Sequence, residues 1–230
     1  MYILVVDDDQ FANSLVQFVL SKEGYEVDAT DNPRGALQMI QKREPDLLIV
    51  DVKMPYIDGF EFATRLRKER YETPIIFMTA QDGIESKLQG FNIGADDYIC
   101  KPYNHQELVA RVQAVMRRVK KNTAKPGNTT IRCGQFELLP GELKIVVSDH
   151  TTVLLTPTEM QVLRVLMTSQ GQVVERDQLL SEVWNDSENN SNIVDVYIRR
   201  LRLKLEEDAD SPQHIVSLRG IGYKFSGKLG

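Results

Sequence analysis

Short apolar runs alternate with amphipathic stretches along the first half of the chain. Tyr2–Val6 (YILVV), Tyr25–Ala29, Asp46–Val50 (DLLIV), Pro74–Met78 (PIIFM) and Tyr98–Cys100 predict five strands, four of them rich in β-branched or aromatic residues. Between and after them, Phe11–Ser21, Pro33–Arg43, Gly59–Glu69, Ile84–Asn92 and His105–Arg118 carry helical spacing. In the last of these, Leu108, Val112 and Val115 recur on one face. Strict alternation of strand and helix predicts an α/β domain, a doubly wound parallel five-stranded sheet with helices on both faces.

The pattern changes after Lys121. Residues 122–130 (NTAKPGNTT) hold no large apolar side chain and contain a Pro-Gly, the signature of a linker. Beyond it, Ile131–Leu139, Leu143–Ser148 and Val153–Leu155 predict strands, and Pro157–Thr168, Arg176–Trp184 and Asn192–Glu206 predict helices. Ile215–Leu218 and Tyr223–Phe225 then flank the turn residues Arg219–Gly222. The expected division is a first domain over 1–119, a linker over 120–128 and an α+β second domain over 129–228.

Charge removes the cheapest functional argument. The 230 residues carry 28 Lys+Arg against 33 Asp+Glu, a net charge of −5, and both halves are acidic: 16 basic and 19 acidic residues in 1–121, 12 and 14 in 122–230. No bulk basic footprint points to nucleic acid. The two cysteines, Cys100 and Cys133, make no disulfide framework, and no Cys/His pairing has zinc spacing, which suits a reducing compartment. The N-terminus lacks the basic region of a signal peptide, and no run approaches the ~20 apolar residues of a membrane span, so the expected address is cytoplasmic with no membrane partner.

Chemistry gathers where strands end. Asp7, Asp8 and Asp9 follow the run ILVV, and Asp51 follows LLIV. In an open parallel sheet, ligands bind outside the carboxyl ends of strands where the winding reverses, so these acids are plausible neighbours. Carboxylates gathered there repel one another unless a divalent cation joins them, and a few hard oxygen ligands favour magnesium (Mg2+). Two further strand ends supply Thr79, a hydroxyl suited to a phosphoryl oxygen, and Lys101, an ammonium suited to phosphate. Carboxylates, a metal, a hydroxyl and an ammonium together make a phosphoryl-transfer site. Singly, a strand-ending Asp is more often a helix cap, and capping the Phe11 helix is the expectation for Asp9.

Asp7-Asp8, the stretch Asp51-Val-Lys-Met-Pro-Tyr-Ile-Asp-Gly59, Thr79-Ala80 and Lys101-Pro102 resemble the receiver domain of bacterial two-component response regulators over residues 1–119, a flavodoxin-like fold. The resemblance implies that Asp51 is the phosphoacceptor and attacks a phosphohistidine on a sensor histidine kinase. It implies that Asp7, Asp8, Asp51 and the Lys53 backbone carbonyl hold magnesium, and that Thr79 and Lys101 respond to the new phosphoryl charge. Tyr98 matches the family's switch aromatic, whose ring turns inward when Thr79 moves toward the phosphate. Lys87, Asp96, Asp97, Glu107, Arg111 and Arg118 match charges that relatives use for intermolecular salt bridges across a symmetric face, so a homodimer on phosphorylation is implied. Isolated surface charges contribute little, and that reading of these six stays open.

The second domain carries a basic helix. In Val194–Leu205 (VDVYIRRLRLKL), Val194, Ile198, Leu201 and Leu205 share one stripe at 100° per residue. Arg199 lies opposite with Asn192, Val196 and Leu203, while Arg200, Arg202 and Lys204 flank the stripe. Four cations close together on a helix with a defined core face suit a DNA major groove, although basic helix faces are often merely solvated. A preceding helix, a polar loop, this helix and a hairpin tipped by Arg219 make the winged form of helix-turn-helix.

The segments Leu155-Thr-Pro-Thr-Glu159, Val174–Leu180, Val194–Arg202 and Val216–Tyr223 resemble the effector domain of the OmpR/PhoB family over residues 129–227. This implies double-stranded DNA as a partner, read as direct-repeat half-sites by a dimer. Position 192, Arg in many relatives, is Asn here. In the family the loop after Trp184 faces DNA or RNA polymerase, and a core role for Trp184 stays equally open. His105, His150 and His214 lie far apart and carry no expected role. The expectation is a transcription regulator rather than an enzyme, since no insertion is long enough for the substrate-enclosing cap of a phosphatase. An interaction module working without phosphorylation is the other rival.

Overall fold

The computed structural model describes residues 1–80, 90, 92–123, 130–147, 151–169, 171–184 and 192–227. The chain divides into two compact units, Met1–Arg117 and Arg118–Gly230. In the first, β1 (Tyr2–Val6), β2 (Glu26–Thr30), β3 (Leu47–Asp51), β4 (Ile75–Thr79) and β5 (Asp97–Cys100) form one parallel sheet in the order β2-β1-β3-β4-β5. Every residue of β1, β3 and β4 is buried, as a strand covered on both faces requires. The winding reverses between β1 and β3, where Val6 pairs with Val50, and this register sets Asp7 and Asp51 at one edge of the sheet.

Helices α1 (Gln10–Lys22), α2 (Pro33–Lys42), α3 (Gly59–Lys68) and α4 (His105–Thr123) belong to the same pattern. Each early helix starts on a side-chain cap: Asp9 accepts from the Phe11 and Ala12 amides, Asn32 from Gly35 and Asp58 from Glu61. Ile3, Val5, Ile49, Ile76, Met78 and Ile99 of the sheet pack against Val16 and Leu20 of α1 and Leu108, Val112 and Val115 of α4 in one core. Most of the expected helix 84–92 lies outside the described residues. Helix α4 runs five residues past its expected end at Arg118, so residues 120–123 of the expected linker are helical. Lys120 and Lys121 are good helix formers, and the next breaker is Pro126.

The second unit has two antiparallel sheets. One holds β6 (Ile131–Cys133), β7 (Phe136–Leu139), β8 (Lys144–Val147) and β9 (Thr152–Leu154) in chain order; the other orders β10 (Val174–Glu175), β12 (Gly222–Phe225) and β11 (Ile215–Leu218) as β10-β12-β11. The single strand expected over 131–139 is instead a tight hairpin, because Gly134 adopts φ +57° and reverses the chain. The helices of this unit are α5 (Pro157–Thr168), α6 (Arg176–Trp184) and α7 (Asn192–Leu205). Helix α5 opens on a capping box in which Thr156 and Glu159 satisfy each other's amides. Trp184 is buried with its ring 5.3 Å from that of Tyr197, so it packs in the core. Helices α6 and α7 followed by the β11–β12 hairpin make a winged helix-turn-helix.

Candidate functional site

The carboxyl ends of β1, β3, β4 and β5 converge. Asp7 follows β1 and is completely buried, Asp8 is exposed, and Asp51, the last residue of β3, has a side chain only 8 % exposed. Ligand oxygens of Asp7, Asp8 and Asp51 lie within 4.8 Å of one another. Lys101, one residue beyond β5, extends its Nζ to Asp7 Oδ2 at 2.7 Å and Asp51 Oδ1 at 3.2 Å. Thr79, the last residue of β4, is buried, and its carbonyl accepts from the Lys101 amide at 2.7 Å, tying the hydroxyl-bearing and ammonium-bearing strand ends together. Sequence reasoning missed Asn13, whose buried amide donates to the carbonyls of Asp7 at 2.7 Å and Thr30 at 3.2 Å and so fixes the acidic turn. Its signal was a polar residue on the core face of α1.

The loop after Asp51 folds back on the strand. Gly59 donates to the Val52 carbonyl at 3.0 Å, and a Cβ at Gly59 would stand 2.3 Å from the Asp51 carbonyl oxygen, so only glycine fits. Lys53 is exposed in this loop.

Burial pushes the Asp51 carboxyl above its ordinary range, the Lys101 charge pulls it back only in part, and Asp7 adds to the rise. Burial pulls the Lys101 ammonium down, but its hydrogen bond to Asp7 and the charge of Asp51 outweigh this and hold it above the usual lysine range. Three carboxylates outnumber the one ammonium by two charges. Hard oxygen donors with that surplus fit a magnesium ion.

Tyr98 on β5 points inward. Its ring lies 5.5 Å from Phe77, a Cβ at Gly90 would collide with its hydroxyl, and burial pushes the phenol far above its ordinary value. Lys87 lies outside the described residues. Of the five other charges expected on an intermolecular face, Asp96, Asp97, Glu107 and Arg111 have partners within the chain. Arg111 pairs within the chain with Asp97 at 2.8 Å and Glu107 at 3.1 Å. Asp96 is buried and accepts from the Ile75 amide at 3.1 Å, so it is no surface charge. Arg118 is the first residue of the second unit.

In the second unit the basic helix α7 divides its cations. Arg200 is buried and pairs with Glu159 of α5 at 2.7 Å; Lys204 pairs with Glu159 at 2.9 Å and donates to the Leu154 carbonyl at 3.0 Å. Glu159 is completely buried, and the charges of Arg200 and Lys204 overcome its burial and hold its carboxyl below the ordinary range. Arg202 donates to the Ile215 carbonyl at 2.7 and 2.9 Å and to Ser217 Oγ at 2.7 Å, joining α7 to the hairpin. The expectation that Arg200, Arg202 and Lys204 form a DNA-facing stripe is therefore corrected: they are turned to intramolecular partners. Arg199 is exposed on the opposite face, paired with the exposed Asp210 at 3.1 Å, and Asn192 and Leu203 are exposed with it.

Arg219 is exposed at the hairpin tip, where Gly220 takes φ +75°. Three residues of the effector framework had no expected role: Asp195 of α7 pairs with Arg176 of α6 and accepts from the Tyr223 hydroxyl of β12. A cleft of about 540 Å³ lies between this hairpin and the start of α6, lined by Arg176, Ser217, Arg219 and Tyr223 among others. No helix among the described residues is long and apolar enough to cross a membrane.

Comparison with known proteins agrees with both halves. Residues 3–113 match the response regulator receiver domain family, and residues 150–225 match the family described as transcriptional regulatory protein, C terminal. The alkaline phosphatase synthesis transcriptional regulatory protein PhoP of Bacillus subtilis (strain 168) is 37 % identical, over 96 % of this chain and 95 % of its own. Among solved structures, a mutant of RitR has 27 % identity and a TM-score of 0.80 over 99 % of each chain. The response regulator DrrB, a Thermotoga maritima OmpR/PhoB homologue, has 30 % identity and a TM-score of 0.51 over 98 % of this chain and 99 % of its own. A receiver sheet with an acid pocket at its switch point, joined in one chain to a winged helix and matched along nearly its whole length by such regulators, belongs to the OmpR/PhoB family of DNA-binding two-component response regulators.

Proposed function

We propose that Asp51 accepts a phosphoryl group from a sensor histidine kinase and that this acyl phosphate raises DNA affinity through dimerisation. The observation that carries the reading is the Lys101 ammonium held between Asp7 and Asp51 in a pocket two charges too negative. An Asp51 carboxylate oxygen forms the new O–P bond while the P–N bond to the donor imidazole breaks. The nitrogen keeps that electron pair, an imidazole protonated at its other nitrogen leaves neutral, and Asp51 becomes a mixed anhydride. Asp7, Asp8, Asp51 and the Lys53 carbonyl would hold magnesium, which would supply positive charge against the carboxylates and phosphoryl oxygens. Lys101 orients the phosphoryl oxygens as a point charge, and Thr79 binds one of them through its hydroxyl.

Thr79 and the inward Tyr98 form the two-state element that the phosphoryl charge biases. The response then passes from the receiver, 1–119, to the effector, 129–228. The chain acts as a cytoplasmic regulator without turnover of a small substrate. Two receivers pair through the face that includes Lys87, Asp97, Glu107, Arg111 and Arg118, which requires the Asp97–Arg111 pair within one chain to exchange for pairs between chains. Two tethered effectors then gain effective concentration on direct-repeat half-sites and present the promoter to RNA polymerase. Arg199 and Asn192 face the major groove, and Arg219 reaches a phosphate or the minor groove.

The test is DNA binding before and after treatment with acetyl phosphate and magnesium, on half-sites selected from a random pool. Tighter, two-site binding by treated wild type, with no gain for Asp51→Ala, is expected. An equal gain in Asp51→Ala contradicts the reading.

A further inference from the structure

Tyr56 lies in the loop from β3 to α3, five residues beyond Asp51. Its φ is +69°, and the Ile57 N–H donates to the Pro55 carbonyl at 2.9 Å, closing an i→i+2 turn about it. A three-residue turn with φ near +75° is rare and strained, and a bulky side chain in the left-handed region is a marked outlier. Burial does not offset the strain: the ring is fully exposed, more so than any other large hydrophobic side chain among the described residues. Strain held in the loop that leaves the Asp51 strand end points to function.

The loop is fixed by contacts other than the ring. Gly59 is bonded to the Val52 carbonyl and pressed against the Asp51 carbonyl, and Asp58 caps α3 through the Glu61 amide at 2.7 Å. The aromatic ring is thereby presented on a set backbone rather than on a free loop, which reduces the ordering cost of any contact it makes. Phe11, also largely exposed, follows the acidic turn of the neighbouring strand β1, so the same edge of the sheet carries a second aromatic side chain.

We propose that Tyr56 is a docking and specificity residue for the protein phosphodonor, meeting the surface around the phosphorylated imidazole while Asp51 takes the phosphoryl group. The proposal rests on the reading of Asp51 as acceptor. Because the acceptor carboxylate is recessed, a donor histidine carried on a folded protein brings its surroundings against the rim, whereas a small donor passes it. A tyrosine suits that contact, with a rigid apolar ring and a hydroxyl for the partner's polar groups.

The test uses the full chain and two donors: acetyl phosphate with magnesium, and the autophosphorylated histidine kinase of the host that transfers fastest to wild type. Tyr56→Gly removes the ring and suits the turn, so its unfolding midpoint is expected to rise and misfolding does not confound the result. The ratio of kinase-driven to acetyl-phosphate-driven labelling rates is expected to fall about tenfold in Tyr56→Gly, and to stay within about twofold of wild type in Tyr56→Phe. An unchanged ratio in Tyr56→Gly overturns the proposal and leaves the Asp51 reading standing. Failure of both donors to label wild type overturns that reading and this proposal together.

Discussion

Each unit contains a small cluster of carboxylates and cations, and the two clusters differ in what they leave unbalanced. At the receiver pocket Lys101, whose side chain is 26 % exposed, pairs with Asp7 and Asp51 while Asp8 lies beside them, so three carboxylates face one ammonium. In the effector, Glu159 is completely buried and carries both Arg200 and Lys204 while also accepting from the Thr156 amide. The first cluster is open at a sheet edge and short of positive charge. The second is closed between helices, and its carboxylate carries two cations. The same residue types thus make, in one place, the site that we propose recruits a cation and a phosphoryl group, and in the other a strut that fixes a helix.

Removing a charge from each cluster gives opposite results on this account. Glu159→Gln leaves Arg200 buried without its counter-charge and is expected to destabilise the effector by about 3–5 kcal/mol in denaturant unfolding, the usual effect of breaking a buried pair. If Glu159→Gln unfolds like wild type, Glu159 is not a strut. Asp51→Asn relieves repulsion with Asp7 and Asp8 and removes a carboxylate that burial disfavours. It is expected to raise receiver stability by about 1 kcal/mol and to abolish the stabilisation that magnesium gives wild type. A magnesium response retained in Asp51→Asn breaks the comparison from the other side.

Acid separates the clusters by sign. The folded carboxyl of Asp51 titrates above its unfolded value of about 4, so its ionisation opposes folding, and that penalty grows as pH rises through the folded value. Glu159 titrates below its unfolded value of about 4.3; its contribution is full above that pH and is lost as pH falls through the folded value. In magnesium-free calorimetry from pH 7 to pH 3, the receiver transition is therefore expected to hold or gain relative to the effector transition, which falls below about pH 4.3. Parallel losses in both transitions contradict the assignment.

The smallest effect is the most discriminating for DNA. Arg199–Asp210 is an exposed pair, so Arg199→Ala is expected to change stability by no more than about 1 kcal/mol. It should weaken DNA binding and lower the salt slope by about one. Arg200→Ala should instead lower the unfolding midpoint. Equal salt slopes for Arg199→Ala and wild type sink the assignment of Arg199.

The receiver pocket was legible because its residues sit directly after apolar runs, and parallel strands bring their carboxyl ends to one edge whatever the intervening loops do. The effector's cations were not legible to the same degree. Helical periodicity identifies the core stripe of α7, but it cannot tell which flank of that stripe another helix covers. Arg200 and Lys204 lie on the flank that α5 covers with Glu159, and Arg202 on the flank that meets the hairpin. Glu159 closes the capping box that Thr156 opens on α5, and nothing local announced its second duty. The hairpin at Gly134 carried its glycine signal inside an otherwise continuous strand pattern.

The net charge of −5 is consistent with this division. On the proposed assignment DNA binding rests chiefly on the exposed Arg199 and Arg219, so the unphosphorylated monomer is expected to bind weakly and in a steeply salt-dependent way. The most direct measurement is the location of the phosphoryl group after labelling with acetyl phosphate and magnesium, trapped by reduction of the acyl phosphate and mapped by mass spectrometry. The account predicts modification at Asp51, abolished by removing magnesium. Modification at another residue, or undiminished labelling without magnesium, contradicts it.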